Sequence, residues 1–138
     1  MKKILHFHPN AFYAQKFIKP LNYTELEAGY SSKLITTTNS EKLIMKLGAE
    51  GFIAYDKVSG GISKSQSFPS LSVNPVDVTG AGDSLLAVMS TGISTENNFM
   101  SAAAIACCMT AIAVENMGNI PIESKQLKNF LSNIFEPY

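Results

Sequence analysis

The stretch Asn74-Pro75-Val76-Asp77-Val78-Thr79-Gly80-Ala81-Gly82-Asp83-Ser84 holds the residue types best suited to chemistry. Gly80 and Gly82 permit a tight turn and close approach of a ligand, because glycine reaches backbone angles closed to other residues. The first amides of a helix opening here have no acceptor inside that helix. They point at a common spot, where the helix dipole adds partial positive charge. Gly80, Ala81 and Gly82 are therefore a candidate anion site, suited to phosphate. Asp83 stands at the same spot and can accept a proton from an attacking hydroxyl. A carboxylate is a weak base, but phosphoryl transfer tolerates this because its transition state is loose and proton transfer comes late. Asp83 would mainly orient the hydroxyl while the amides stabilise charge on the transferring group. A lone Gly-x-Gly is more often a plain turn, with the aspartate as an N-terminal helix charge. The complete Asp-x-Thr-Gly-Ala-Gly-Asp string before a helix is far more specific.

Other candidates read more blandly. Asn22-x-x-Glu25 fits a variant capping box, with Glu25 at the third helical position. Lys46 is as readily a strand residue with a solvated tip as a phosphate ligand. His6 and His8 alternate on a presumed strand beside no cysteine or acidic cluster, so no metal site is expected there. Cys107 and Cys108 are adjacent, a spacing that an ordinary disulfide cannot bridge without strain. They read as small buried residues in a tight helix, in a reducing, cytoplasmic setting. Phe7, Phe12, Tyr13 and Phe17 read as core or interface.

The elements that position these residues follow from pattern. Lys3–Phe7 reads as a strand closed by Pro9 and Asn10, and Phe17-Ile18 as another before Pro20. Asn22 caps a helix from Tyr23. Lys33–Thr38 is ambiguous: its threonines favour a strand, its place between two strands a helix. Leu43–Leu47 and Phe52–Asp56 read as strands around a turn at Gly48–Gly51. Gly60-Gly61 marks a hairpin to a returning strand, Ile62–Phe68, and Leu71–Val73 reads as one more. A helix then runs from Gly80-Ala81-Gly82 to about Ser90, followed by a small-residue-rich helix over Asn97–Val114 and an amphipathic one over Glu123–Phe135. Interleaved strands and helices define an α/β class.

Length and charge bound the rest. The 138 residues suffice for one domain with one hydrophobic core. Hydrophobic residues make up 46% and charged residues 16%, below the usual roughly 25% charged, which excludes a disordered chain. Lys+Arg and Asp+Glu both number 11, so nothing drives binding to nucleic acid or an anionic membrane. The basic start is too short and too polar for a signal peptide, and Ala102–Val114 falls short of the ~20 residues of a membrane span. Scarce charge also points to faces buried in the fold or against another chain.

The Gly-Ala-Gly-Asp string resembles the C-terminal signature of the ribokinase-like sugar kinases, the PfkB family. Asn22-Tyr23-Thr24-Glu25 resembles that family's Asn-x-x-Glu motif, and Lys46-Leu47-Gly48-Ala49-Glu50-Gly51 its Lys/Thr-Leu-Gly-x-x-Gly turn. Ala111-Ile112-Ala113-Val114 through Gly118 resembles the helix and loop that flank the adenine. The resemblance implies a fragment of a three-layer sandwich, with a mostly parallel sheet, packed helices and an antiparallel hairpin. It implies Asp83 as catalytic base, Gly80, Ala81 and Gly82 as anion hole, and Lys46, Gly48, Gly51 and Cys107 at the nucleotide. It implies ATP and Mg2+ as cofactors, with Asn22 and Glu25 in the outer shell of the magnesium, and a monovalent cation, K+, at Asp77. Asn74-Pro75-Val76-Asp77 and Gly118-Asn119-Ile120-Pro121 look most like the heptose-kinase-like branch. Val88 stands where the family has a small residue.

Family members run to about twice this length, and the N-terminal half with most sugar contacts and the lid is expected to be absent. The first functional expectation is thus a carbohydrate kinase fragment, 1–138 as a single domain, phosphorylating a sugar hydroxyl with ATP. Its rival is a non-catalytic nucleotide-binding or partner-binding remnant. Both expect a partner, either a second copy or a complementary N-terminal half, since a cut sheet leaves an unpaired edge. A dinucleotide-binding domain is disfavoured: the third glycine is missing at its spacing, and the motif falls late in the chain.

Overall fold

The computed structural model describes residues 4–7, 33, 35–37, 39–57, 63–95, 98–118 and 120–135. The expected strand at Phe17-Ile18, the helix capped by Asn22 and the Gly60-Gly61 turn lie outside the described residues. The chain divides into two compact units, Met1–Ser67 and Phe68–Tyr138.

In the first unit, β1 (Ile4–Phe7), β2 (Lys42–Lys46), β3 (Phe52–Lys57) and β4 (Ser63–Phe68) stand side by side in that order. β1 runs parallel to β2, and β2 antiparallel to β3. Parallel neighbours need a long crossover, commonly helical, and residues 33 and 35–37 within this one are helical. The threonines there are overridden by packing. Ile35 is buried in a cluster with Leu43, Met45, Ile53 and Tyr55, an arrangement that a helical turn can present. Asn39 ends the segment at φ +49, with its amide on Thr36 O at 3.2 Å and that of Ser40 on Ile35 O at 3.1 Å. This is the left-handed Schellman stop that asparagine tolerates better than most residues.

Register sorts the side chains of β2 and β3. Leu43 opposes Tyr55 and Met45 opposes Ile53 on one face, while Ile44 opposes Ala54 on the other. All six are buried, so both faces of these strands are covered and the sequence reads as a continuous apolar run. At the strand ends Lys42 Nζ meets Asp56 Oδ1 at 2.5 Å, across directly opposed positions. A 3-10 turn at Gly48–Glu50 joins the strands. Gly48 and Gly51 have φ +64 and +100, and the Leu47 amide closes onto Gly51 O at 2.8 Å.

The second unit holds α1 (Ala81–Ser94), α2 (Phe99–Val114) and α3 (Ser124–Phe135). α1 runs past the expected end at Ser90, and hydroxyls along its last turns bond back to its own carbonyls: Thr91 Oγ1 donates to Ala87 O at 2.9 Å and Ser94 Oγ to Ser90 O. α2 begins later than expected. The Asn98 side chain accepts from the amides of Met100 and Ser101 at 2.9 and 3.3 Å, which makes Asn98 the cap. α1 and α2 pack along each other, and α3 packs on α2. A Cβ added at Gly92 would fall 2.5 Å from Ala102 Cβ, so the small residues of α2 serve a close helix–helix approach. Val88 is half-buried on α1. Leu71–Val73 is not a strand; Val73 is 88% exposed, and β-propensity without a surface to bury against yields only irregular chain. Among the described residues, no helix is long and apolar enough to cross a membrane.

Candidate functional site

The Gly80 turn is built by the conformations its residues allow. Gly80 adopts φ +79, ψ −6, a left-handed geometry that costs a side-chain-bearing residue. The helix starts one residue later, without a side-chain cap on Gly80. Ser84 N donates to Gly80 O at 2.9 Å, the first turn of α1. The Ala81 amide reaches back to Val78 O at 3.3 Å. Among the described residues the amides of Gly82 and Asp83 have no backbone acceptor. The open donors thus include the amide of Asp83 itself, which the glycine pattern did not single out. The signal for it was the general rule that the first four helical amides lack partners.

Asp83 is exposed. The reason lies in helical period: Leu85 and Met89, four apart, form the buried stripe of α1, at 2% and 0% exposure, and Asp83 projects from another face. No hydrogen bond or ion pair engages its carboxylate among the described residues.

Asp77 is different. Its Oδ1 accepts the Thr79 amide at 2.9 Å and its Oδ2 the Gly118 amide at 3.0 Å. These bonds hold the carboxyl below the usual carboxylate range. The Thr79 amide contributes most, then the Thr79 hydroxyl and the Gly118 amide, with desolvation opposing them. The backbone adds to the tie, since the amides of Val76 and Asp77 both donate to Val114 O, at 2.7 and 3.1 Å. The structure therefore brings Asp77, Thr79, the Gly80 turn and Gly118 together.

The Cys107 thiol is buried and donates to Pro69 O at 3.1 Å. Burial, reinforced by the neighbouring Cys108, pushes it up to about 11. Cys108 is also buried, and its thiol is raised mainly by desolvation. Lys46, Gly48 and Gly51 belong to the first unit, with Lys46 half-buried at the end of β2. Asn22 and Glu25 lie outside the described residues. Among the described residues no three of His, Cys, Asp or Glu group as metal ligands.

Solved structures share this arrangement of elements. Ribokinase from Thermotoga maritima is 24% identical at a TM-score of 0.65, over 89% of this chain and 39% of that one. Phosphofructokinase-2 from Escherichia coli, solved with substrates and products, is 11% identical at 0.74, over 95% and 40%. Arabidopsis thaliana ribokinase, solved with ribose and ATP, is 22% identical at 0.59, over 72% and 33%. No curated protein matches the chain. The fold is thus α/β and ribokinase-like, as the motif order implies. The profile of the pfkB family carbohydrate kinases matches residues 9–126, and the chain belongs to that family. It spans about 39% of the length of the Thermotoga ribokinase it matches.

Proposed function

We propose that this chain is the nucleotide- and base-bearing, C-terminal half of an ATP-dependent carbohydrate kinase, a single domain over 1–138. The observation that carries the reading is the entry to α1: a left-handed Gly80, amides on Gly82 and Asp83 with no backbone acceptor among the described residues, and an exposed Asp83 carboxylate in the same turn. A γ-phosphoryl group would lie over those amides, whose partial positive charge favours it. The sugar hydroxyl would approach in line, its oxygen bonding to phosphorus as the β–γ bridging bond breaks and ADP leaves. Its proton would pass to Asp83. Ribose and ATP, bound by the Arabidopsis ribokinase, support sugar and nucleotide as ligand classes.

The donor set at Gly80–Asp83 fits a phosphate chain. Magnesium would neutralise phosphate charge, with Asn22 and Glu25 in its outer shell, and a potassium ion would sit beside Asp77. Lys46, Gly48, Gly51 and Cys107 complete the reading on the nucleotide side. The motifs around Asn74–Asp77 and Gly118–Pro121 favour the heptose-kinase-like branch as substrate class, in the cytoplasm.

Asp83→Asn is expected to lower sugar-dependent ADP release by roughly 10²–10⁴-fold, the usual worth of a general base, while ATP binding by calorimetry persists. The assay uses the chain with whatever second copy or complementary half supports turnover. Full turnover in the variant removes Asp83 from its role. A second reading, a nucleotide- or partner-binding chain without catalysis, is favoured by the span of about 39% of the Thermotoga relative. Binding of ATP with no sugar-dependent ADP release in any assembly would select it.

A further inference from the structure

We propose that Met117, on the turn after α2, is among the described residues the site at which a peroxide-class oxidant enters the folded chain, and that its sulfoxide forms reversibly while both thiols stay reduced. No step of this uses a nucleotide, so it stands or falls apart from the kinase reading. A thioether sulfur has no proton to lose and reacts wherever oxidant can reach it, whereas a cysteine reacts as its thiolate. Reach therefore ranks the methionines, and reach together with ionisation ranks the thiols. Met89 is 0% exposed, Met45 is 7% exposed, and Met100 and Met109 are half-buried, while Met117 is 77% exposed.

The turn presents this side chain by its own bonds. The Asn116 side chain donates to Ile112 O at 2.8 Å, and Gly118 turns the chain at a left-handed φ of +79. Met117, between the two, is left in solvent. Both cysteines are withdrawn instead. Cys107 and Cys108 are buried on α2, and the Cys107 thiol donates to Pro69 O. Burial pushes both thiols up, Cys107 to about 11, so almost no thiolate is present near neutrality. The usual order of attack, cysteine before methionine, is thereby inverted. The Met117 sulfur lone pair takes one peroxide oxygen: an S–O bond forms, the O–O bond breaks, and the proton on the transferred oxygen leaves with the other oxygen as water. Sulfur gives up two electrons and the peroxide gains them. An exposed side chain has little packing to lose, so the polar sulfoxide is tolerated here, where at Met45 or Met89 it would disrupt a core. The chain thus stays folded as a substrate for the methionine sulfoxide reductases, one enzyme per sulfoxide epimer.

Hydrogen peroxide added to a dilute solution of the chain near neutral pH, followed by peptide mass spectrometry, ranks the sites. The Met117 peptide should gain one oxygen about tenfold faster than those of Met100 and Met109. Both thiols should remain open to alkylation once the quenched chain is unfolded in urea. Oxidation of either thiol, or of Met45, Met89, Met100 or Met109, at the rate of Met117 overturns the proposal. So does a Met117 that keeps its lead when peroxide is added in urea, because the lead would then not come from the fold. The oxidised chain should keep its urea midpoint, and the two reductases together should restore the mass of the Met117 peptide without unfolding. A fall in midpoint, or a sulfoxide that resists reduction until the chain is unfolded, would overturn the reversible site.

Discussion

Two carboxylates six positions apart show how little residue type says about role. Asp77 has both oxygens engaged by backbone amides and a depressed pKa, whereas Asp83 is exposed and unpartnered among the described residues. One is held by the backbone and the other is open to solvent. Cys107 illustrates the same point for thiols. Its donation to Pro69 O and its rise to about 11 make it unreactive near neutrality, because the thiolate is the nucleophile. Iodoacetamide at pH 8 should therefore label Cys107 far more slowly than a free cysteine, with labelling restored in urea; rapid labelling of the native chain refutes its burial. The pH sign follows. The unfolded thiol, with its ordinary value of about 9, loses its proton before the folded one, so this group leaves stability intact below pH 9 and erodes it from there toward 11. Cys107→Ala should flatten that part of the alkaline decline in urea midpoint, and an unchanged slope would remove the assignment.

Between helices the decisive distance is that from Gly92 to Ala102. Gly92→Ala would gain about 1 kcal/mol of helix propensity. It would also force its Cβ to 2.5 Å from that of Ala102, a buried atom with no rotamer to change. Overpacking of that kind costs about 1–3 kcal/mol, so the clash wins and the urea midpoint should fall. Adding Ala102→Gly should recover most of the loss, since the two sites share one contact. A more stable Gly92→Ala variant would show that α1 and α2 are further apart. The helix ends are set as locally as this packing: Asn98 caps α2, and Gln126 Oε1 reaches back to the Glu123 amide at 2.8 Å ahead of α3.

Across the whole molecule, length and surface point the same way. The chain spans 33–40% of the three structural relatives described above. Val73, Val76, Val78, Met117 and Ile120 are all more than half exposed in the unit that carries the Gly80 turn. Apolar residues flanking a site are tolerated on a surface that another chain covers. The chain alone is therefore expected to self-associate at tens of micromolar, and Val76→Ser with Met117→Ser should shift light scattering toward monomer. A strictly monomeric unaltered chain at that concentration would count against the partner proposal.

The sequence by itself determined the α/β class, the place of the Gly80 turn and many element boundaries. These depend on local rules: glycine where φ is positive, and unbroken apolar runs in β2 and β3. Gly80 is legible for that reason, because no neighbour has to be known to see that the chain must turn there. Tertiary structure alone decided the rest. Helical structure at residues 35–37 depends on Ile35 finding Leu43 and Tyr55, the irregular path at Leu71–Val73 on finding nothing, and the bonding of the second Asp77 oxygen on an amide 41 residues away. A pattern along the chain carries periodicity and propensity, but it carries no information on which distant donor a side chain will meet once the chain has folded.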